Sequence, residues 1–167
     1  KIYADAMITK MKDVSLGVLT ADCVPIILYD SKNKIIGCIH AGWKGAFKNI
    51  IKNTIHKIKK ISVNSKIYAS VGPCIGIKSY EVDIKFYKKF ISKSAKNKIY
   101  FSHKNKSKKL FNLRKFITDK LKQCKVEVDQ VNHDTFTEKN KFFSYRRSLK
   151  LKQRDYGRCI STIGMLN

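Results

Sequence analysis

The sequence predicts an α+β fold, and three observations carry that prediction. Two short apolar runs, 24–29 and 34–39, flank the turn-forming residues Asp30, Ser31, Lys32 and Asn33 and read as a β-hairpin. Two segments, 46–60 and 110–124, repeat apolar residues at helical spacing. Strands and helices mix without the regular βαβ alternation of a parallel α/β fold. A chain of 167 residues, 43% of them hydrophobic, suits one domain spanning 1–167 with its own core.

In chain order, residues 16–29 and 34–40 read as strands. Gly42, Trp43, Lys44 and Gly45 form a turn, and 46–60 a helix with Phe47, Ile50, Ile51, Ile55 and Ile58 on its apolar stripe. His56 falls off that stripe, toward solvent. Residues 65–71 are a strand running into the tight loop Gly72-Pro73-Cys74-Ile75-Gly76. A helix at 82–91 turns Phe86, Phe90 and Ile91 inward. The lysine-rich stretch 92–109 reads as a mobile excursion with a short strand at 99–101. The helix at 110–124 puts Leu110, Leu113, Phe116, Ile117 and Leu121 on one face. Strands follow at 126–131 and 159–165, separated by the aromatic and basic segment 142–147.

The formal net charge of +24 invites a nucleic-acid partner. Only five of the 36 basic residues are Arg, however, and base recognition favours the bidentate Arg fork. Lys, Ile, Asn, Tyr and Phe, all abundant here, share A/T-rich codons, so the expectation is no specific nucleic-acid partner and only salt-sensitive adhesion to polyanions. No apolar stretch approaches the roughly 18–20 residues that span a bilayer. Five cysteines without CxxC spacing point to reduced thiols and a cytoplasmic setting. The chain begins at Lys1 rather than Met, which reads as a fragment truncated at its N-terminus.

The hairpin brings together the pair with the most chemistry. If residues 30–33 form the loop, Cys23 faces His40. Directly opposed residues have Cβ atoms about 4.5–5.5 Å apart, which suits a shared zinc ion with Zn–S of about 2.3 Å and Zn–N of about 2.0 Å. The same spacing equally describes a buried Cys beside a hydrogen-bonded His. A register slip would part the pair. No GxxxxGK[ST], GxGxxG, HExxH or GxSxG motif occurs.

What remains is Thr20-Ala21-Asp22-Cys23, His40-Ala41-Gly42-Trp43-Lys44-Gly45, Gly72-Pro73-Cys74-Ile75-Gly76 and Phe142-Phe143-Ser144-Tyr145-Arg146-Arg147. With these four blocks in this order the chain resembles the laccase-domain, or polyphenol-oxidase-like, proteins, described as purine nucleoside enzymes. The resemblance runs from Ala4 to Arg158. It implies a layered mixed-sheet sandwich of the cytotoxic-factor, cysteine-hydrolase-like type. It also implies one zinc held by a Cys and two His, of which Cys23 and His40 match two and serve as both metal ligands and catalytic residues. The remaining histidine belongs to a [QV]-H-G segment expected upstream of Lys1. Cys38, on the same strand face as His40, and His133 are substitute candidates; His103 reads as a surface residue.

The implied activities are phosphorolysis of adenosine, inosine and methylthioadenosine and deamination of adenosine, so the partners would be purine nucleosides and phosphate. A bound zinc supplies a water of lowered pKa, and Asp5 and Asp22 are carboxylates available for proton transfer. Arg146 and Arg147 are the candidate phosphate contacts; if 142–147 is extended, only one faces the site. Trp43 is placed to stack on a base or to anchor packing. Copper-dependent phenol oxidation, a catalytically degenerate domain and a Cys23–His40 thiol hydrolase are the alternatives. The chain departs from the family pattern at Asp134-Thr135, where Cys-Thr is common, and at Lys44, where Arg is common.

Overall fold

The computed structural model describes residues 4–166, and the α+β expectation holds. Strand β1 (Ala6–Thr9), which the sequence reading did not find, leads into β2 (Val14–Thr20), β3 (Val24–Asp30) and β4 (Ile35–Ala41). Helices α1 (Trp43–Phe47) and α2 (Ile50–Ile61) follow, then β5 (Ile67–Val71), β6 (Glu81–Asp83), α3 (Ile84–Lys93) and a 3₁₀ turn at Ala95–Tyr100. The rest comprises β7 (Phe101–His103), β8 (Lys108–Phe111), α4 (Leu113–Gln123), β9 (Glu127–Gln130), α5 (Tyr145–Lys150) and β10 (Cys159–Met165).

A five-stranded sheet in the order β1-β4-β3-β5-β9 is the centre of the fold; only the β5–β9 pair is parallel. Its two faces have different covers. Val24, Ile26, Leu28, Ile39 and Ala41 are buried in one cluster with Ile51, Ile55 and Ile58 of α2 and Ile117 and Leu121 of α4. The opposite face is covered by the antiparallel ribbon β10–β2, which packs on β4. A small sheet, β6-β8-β7, packs with α3 and encloses a knot of aromatic rings.

Two local features correct the sequence reading of the strands. The run 16–29 is broken because Asp22 adopts a left-handed backbone (φ 76°), which a short polar side chain tolerates. The hairpin turn comprises residues 31–34 rather than 30–33. Asp30 stays in the strand, fully buried, because its carboxylate accepts from the Lys32 N–H (3.2 Å), the Lys66 N–H (3.0 Å) and the Ser62 hydroxyl. Lys34 takes the left-handed turn position at φ 50°. The register is therefore Val24↔Ala41 and Pro25↔His40.

Elsewhere the lysine-rich stretch is ordered: the 3₁₀ turn and the β7–β8 hairpin replace the expected loop. Asn49 at φ 69° divides the expected helix 46–60 from a short first helix that begins at Trp43. Residues 145–150 are helical, started by the Ser144 side chain accepting from the Arg147 N–H at 3.1 Å.

Candidate functional site

The corrected register places Cys23 opposite Gly42, not opposite His40. β3 begins at Val24 and β4 ends at Ala41; continued one residue beyond them, through the extended backbone of Gly42, the register leaves Cys23 and His40 on one face as diagonal neighbours, with Cα atoms about 7–8 Å apart. The thiol overhangs Gly42: a Cβ added there would lie 2.9 Å from Cys23 Sγ, so the second residue of the Gly42-Trp43 step has to be reached through glycine. Burial, with Asp22 and Asp5 nearby, pushes the Cys23 thiol up to about 11. Without a cation beside it, almost none of it is thiolate at pH 7, which weighs against Cys23 as an unassisted nucleophile.

His40 is half-buried. Its backbone N–H donates to the Asp5 carbonyl at 2.7 Å, and its Nδ1 lies 3.9 Å from Asp5 Oδ1. The two substitute candidates are engaged elsewhere. Cys38 faces Ile27 rather than Pro25, is fully buried, and lies against the Ile163 backbone under the β2–β10 ribbon. His133 Nδ1 is 2.9 Å from Glu138 Oε2. A sulfur and an imidazole suit zinc or copper, but among the described residues no group of three or more His, Cys, Asp or Glu is placed to hold a metal ion. The usual complement of three protein ligands is thus not completed by residues 4–166.

Beside Cys23 is a pocket of about 260 Å³ lined by Asp22, Cys23, Trp43, Tyr80, Tyr145 and Arg146, with Ala21, Ile75 and Leu113. Larger hollows of about 630 and 660 Å³ lie around α4, but they contain neither Cys23 nor His40. Trp43 forms one wall, held edge-on by Phe86 at 4.7 Å between ring centroids. Arg146 lies 5.3 Å over the Tyr80 ring, and one of its guanidinium N–H groups donates to the Glu81 carbonyl at 2.8 Å. Burial raises the Tyr80 phenol, which therefore stays a hydrogen-bond donor at neutral pH.

Asp22 joins this site together. Its Oδ1 accepts from the Thr135 hydroxyl (2.7 Å), and its Oδ2 accepts from the Ser144 hydroxyl (3.0 Å) and the Arg146 N–H (2.6 Å). The reading of Arg147 as a phosphate contact meets a different arrangement: its guanidinium donates to the carbonyls of Thr135, Phe136 and Phe142 and lies outside the pocket. Asp5 also lies outside it; its exposed carboxylate borders a separate groove with α2. Tyr80 and Tyr145 are pocket residues that the sequence reading did not single out as ligand contacts.

The Asp134-Thr135 departure also acquires a role. Asp134 accepts from the Gly76 N–H (2.9 Å), the Ser79 hydroxyl (2.5 Å) and the Phe136 N–H (2.9 Å), which fixes the loop carrying Ile75. A Cβ at Gly76 would lie 2.5 Å from Asp134 Oδ2, and those three donors leave that carboxylate nowhere to move. Gly76→Ala should destabilise the protein by about 2 kcal/mol in urea denaturation. In an Asp134→Ala background the same substitution should cost less, by about 1 kcal/mol, because the contacts to the carboxylate are gone and only the 3.1 Å approach to Cβ of residue 134 remains.

Residues 2–166 match the family described as "multi-copper polyphenol oxidoreductase laccase". The chain belongs to this family. Among the laccase-like relatives, a purine nucleoside phosphorylase of Rickettsia conorii is 42% identical over 164 residues, 97% of this chain and 68% of that protein. One from Haemophilus influenzae is 33% identical over 149 residues, 87% of this chain and 60% of that protein. An adenosine deaminase, RL5, is 38% identical over 79 residues. The crystal structure of Neisseria meningitidis protein NMB0706 superposes with a TM-score of 0.85 at 30% identity, covering 98% of this chain and 65% of that one. The laccase-like chain thus spans 60–68% of the Rickettsia, Haemophilus and Neisseria proteins, and 30% of RL5. None of its described helices is long and apolar enough to cross a membrane.

Proposed function

We propose that the protein is a purine nucleoside enzyme that cleaves adenosine, inosine and methylthioadenosine with phosphate and also deaminates adenosine. The observation that carries this reading is the convergence of Cys23, Trp43, Tyr80 and Arg146 on one pocket. The names of the Rickettsia and Haemophilus relatives and of RL5 support it. In phosphorolysis a phosphate oxygen attacks the anomeric carbon while the glycosidic bond to the purine breaks. Arg146 supplies a fixed cation for the phosphate or for the negative charge on the departing base. Trp43 supplies a flat apolar wall for the purine.

Zinc is the proposed cofactor, with Cys23 and His40 as two of its ligands and the third donor coming from outside residues 4–166. Replacing Cys23 by Ala in the full-length protein should remove zinc and inosine phosphorolysis together. The loss should exceed the roughly 10–100-fold cost of disturbing a residue that only orients a metal ligand. Zinc analysis and a phosphorolysis assay on the same preparation check this, and phosphorolysis unchanged in Cys23→Ala would refute the reading. The family description also names copper oxidoreductases. Turnover that persists without O₂ separates phosphorolysis from phenol oxidation.

A further inference from the structure

Two adjoining grooves on the helical side of the molecule are rimmed by lysine. The first, about 660 Å³, has Phe47, Tyr100 and Phe116 in its floor and Lys93, Lys96, Lys120 and Lys122 around it. The second, about 520 Å³, runs over Ile55 and is bordered by Lys52, Lys59, Lys60 and Lys125. Gln123 lines both, so the two adjoin at that residue. The single carboxylate along this path, Asp119, already sits 3.0 Å from Lys115 Nζ. Helices α2 and α3 contain no acidic residue at all.

Several of these ammonium groups are held in place rather than swinging free. Lys59 Nζ donates to the Cys124 carbonyl at 2.7 Å, bridging α2 to the end of α4. Lys93 donates to the Phe47 carbonyl and lies 4.3 Å over the Phe47 ring. Lys120 lies 5.0 Å over the Phe116 ring. Burial, together with Lys93 and Lys52, pushes the Lys120 ammonium below the usual lysine range. Like charges held this close are relieved by an anion that spans both grooves.

We propose that these grooves bind the phosphate backbone of single-stranded nucleic acid without regard to sequence. A concave, cationic channel follows a flexible strand, whereas a bilayer surface meets a flat or convex face. Lysine is a point charge without the fork that reads bases, and Tyr100 and Phe116 are too buried to stack on them. The site is separate from the nucleoside pocket, and it stands whether or not that pocket turns over nucleosides.

The test is fluorescence anisotropy of a labelled, mixed-sequence single-stranded RNA with the full-length protein, titrated between about 50 and 200 mM salt. Lys96, Lys122, Lys12 and Lys139 are all exposed, so their neutralisation leaves the core intact. The K96Q/K122Q variant should lower the slope of log affinity against log salt by about 1.4, at about 0.7 per lost contact. The K12Q/K139Q variant, away from the grooves, should leave the slope unchanged. Equal losses in both variants would overturn the proposal in favour of adhesion over the whole surface, as would no RNA binding at the lowest salt. Tighter binding to phosphatidylserine vesicles than to RNA, lost in K96Q/K122Q, would overturn it in favour of a membrane surface.

Discussion

Replacing Phe90 by Ala is expected to destabilise the protein by about 3–5 kcal/mol, the range for emptying a fully buried aromatic site. Phe90 is fully buried. The rings of Phe47, Phe86, Phe101, Phe111 and Phe116 lie 4.8–5.6 Å from it between centroids. These rings come from α1, α3, β7, β8 and α4, so one side chain ties the small sheet to the helical layer. Such a site cannot collapse without moving several elements at once, which places the cost at the upper end of the range. Phe90→Leu keeps most of the volume and should cost about 1–2 kcal/mol. Urea denaturation of both variants checks the order. The effect also reaches the pocket, because Trp43 packs 6.3 Å from Phe90 as well as against Phe86. A loosened Trp43 should raise KM for a purine nucleoside before it lowers kcat.

The stretches read most surely from sequence are those where one periodicity acts alone. The stripe of Ile51, Ile55 and Ile58 and that of Leu113, Phe116, Ile117 and Leu121 face the core as their spacing requires. The hairpin was legible as a hairpin, but its turn was not. Asp30 looks like a turn residue until Lys32 and the sequence-distant Ser62 and Lys66 satisfy its carboxylate inside the strand. That shift moves Cys23 from His40 to Gly42 while leaving both on the same face, so the pairing failed and the placement survived. Strand β1 has only Ala6, Met7, Ile8 and Thr9 to declare itself, and its identity comes from pairing with β4. Arg146 and Arg147 differ in role because α5 sets adjacent residues about 100° apart, a periodicity that six residues between aromatic neighbours do not reveal. The three-donor zinc site that the family resemblance implies does not form among the described residues.

Asp22→Ala should cost about 3–5 kcal/mol and lower nucleoside turnover at the same time. Removing the carboxylate leaves the Thr135 and Ser144 hydroxyls and the Arg146 N–H without their acceptor in a buried setting, at about 1–3 kcal/mol for each unsatisfied group less whatever water recovers. Alanine at φ 76° adds about 1–2 kcal/mol of backbone strain. Asp22→Asn separates the two contributions. Asparagine tolerates the left-handed backbone and can still accept from one hydroxyl, but its amide nitrogen cannot accept where Oδ2 now takes two bonds. It should cost about 2 kcal/mol. The kinetics then distinguish two roles for the carboxylate. As a positioning residue that holds Arg146 and the Cys23 corner, Asp22 should show a raised KM with only a modest fall in kcat in the Asn variant, and an unaltered pH profile. A proton-transfer group would instead lose kcat at unchanged KM and lose one limb of the pH profile. Three donors already hold the carboxylate in place, so the positioning outcome is the one expected, with the acid–base chemistry falling to another group at the site.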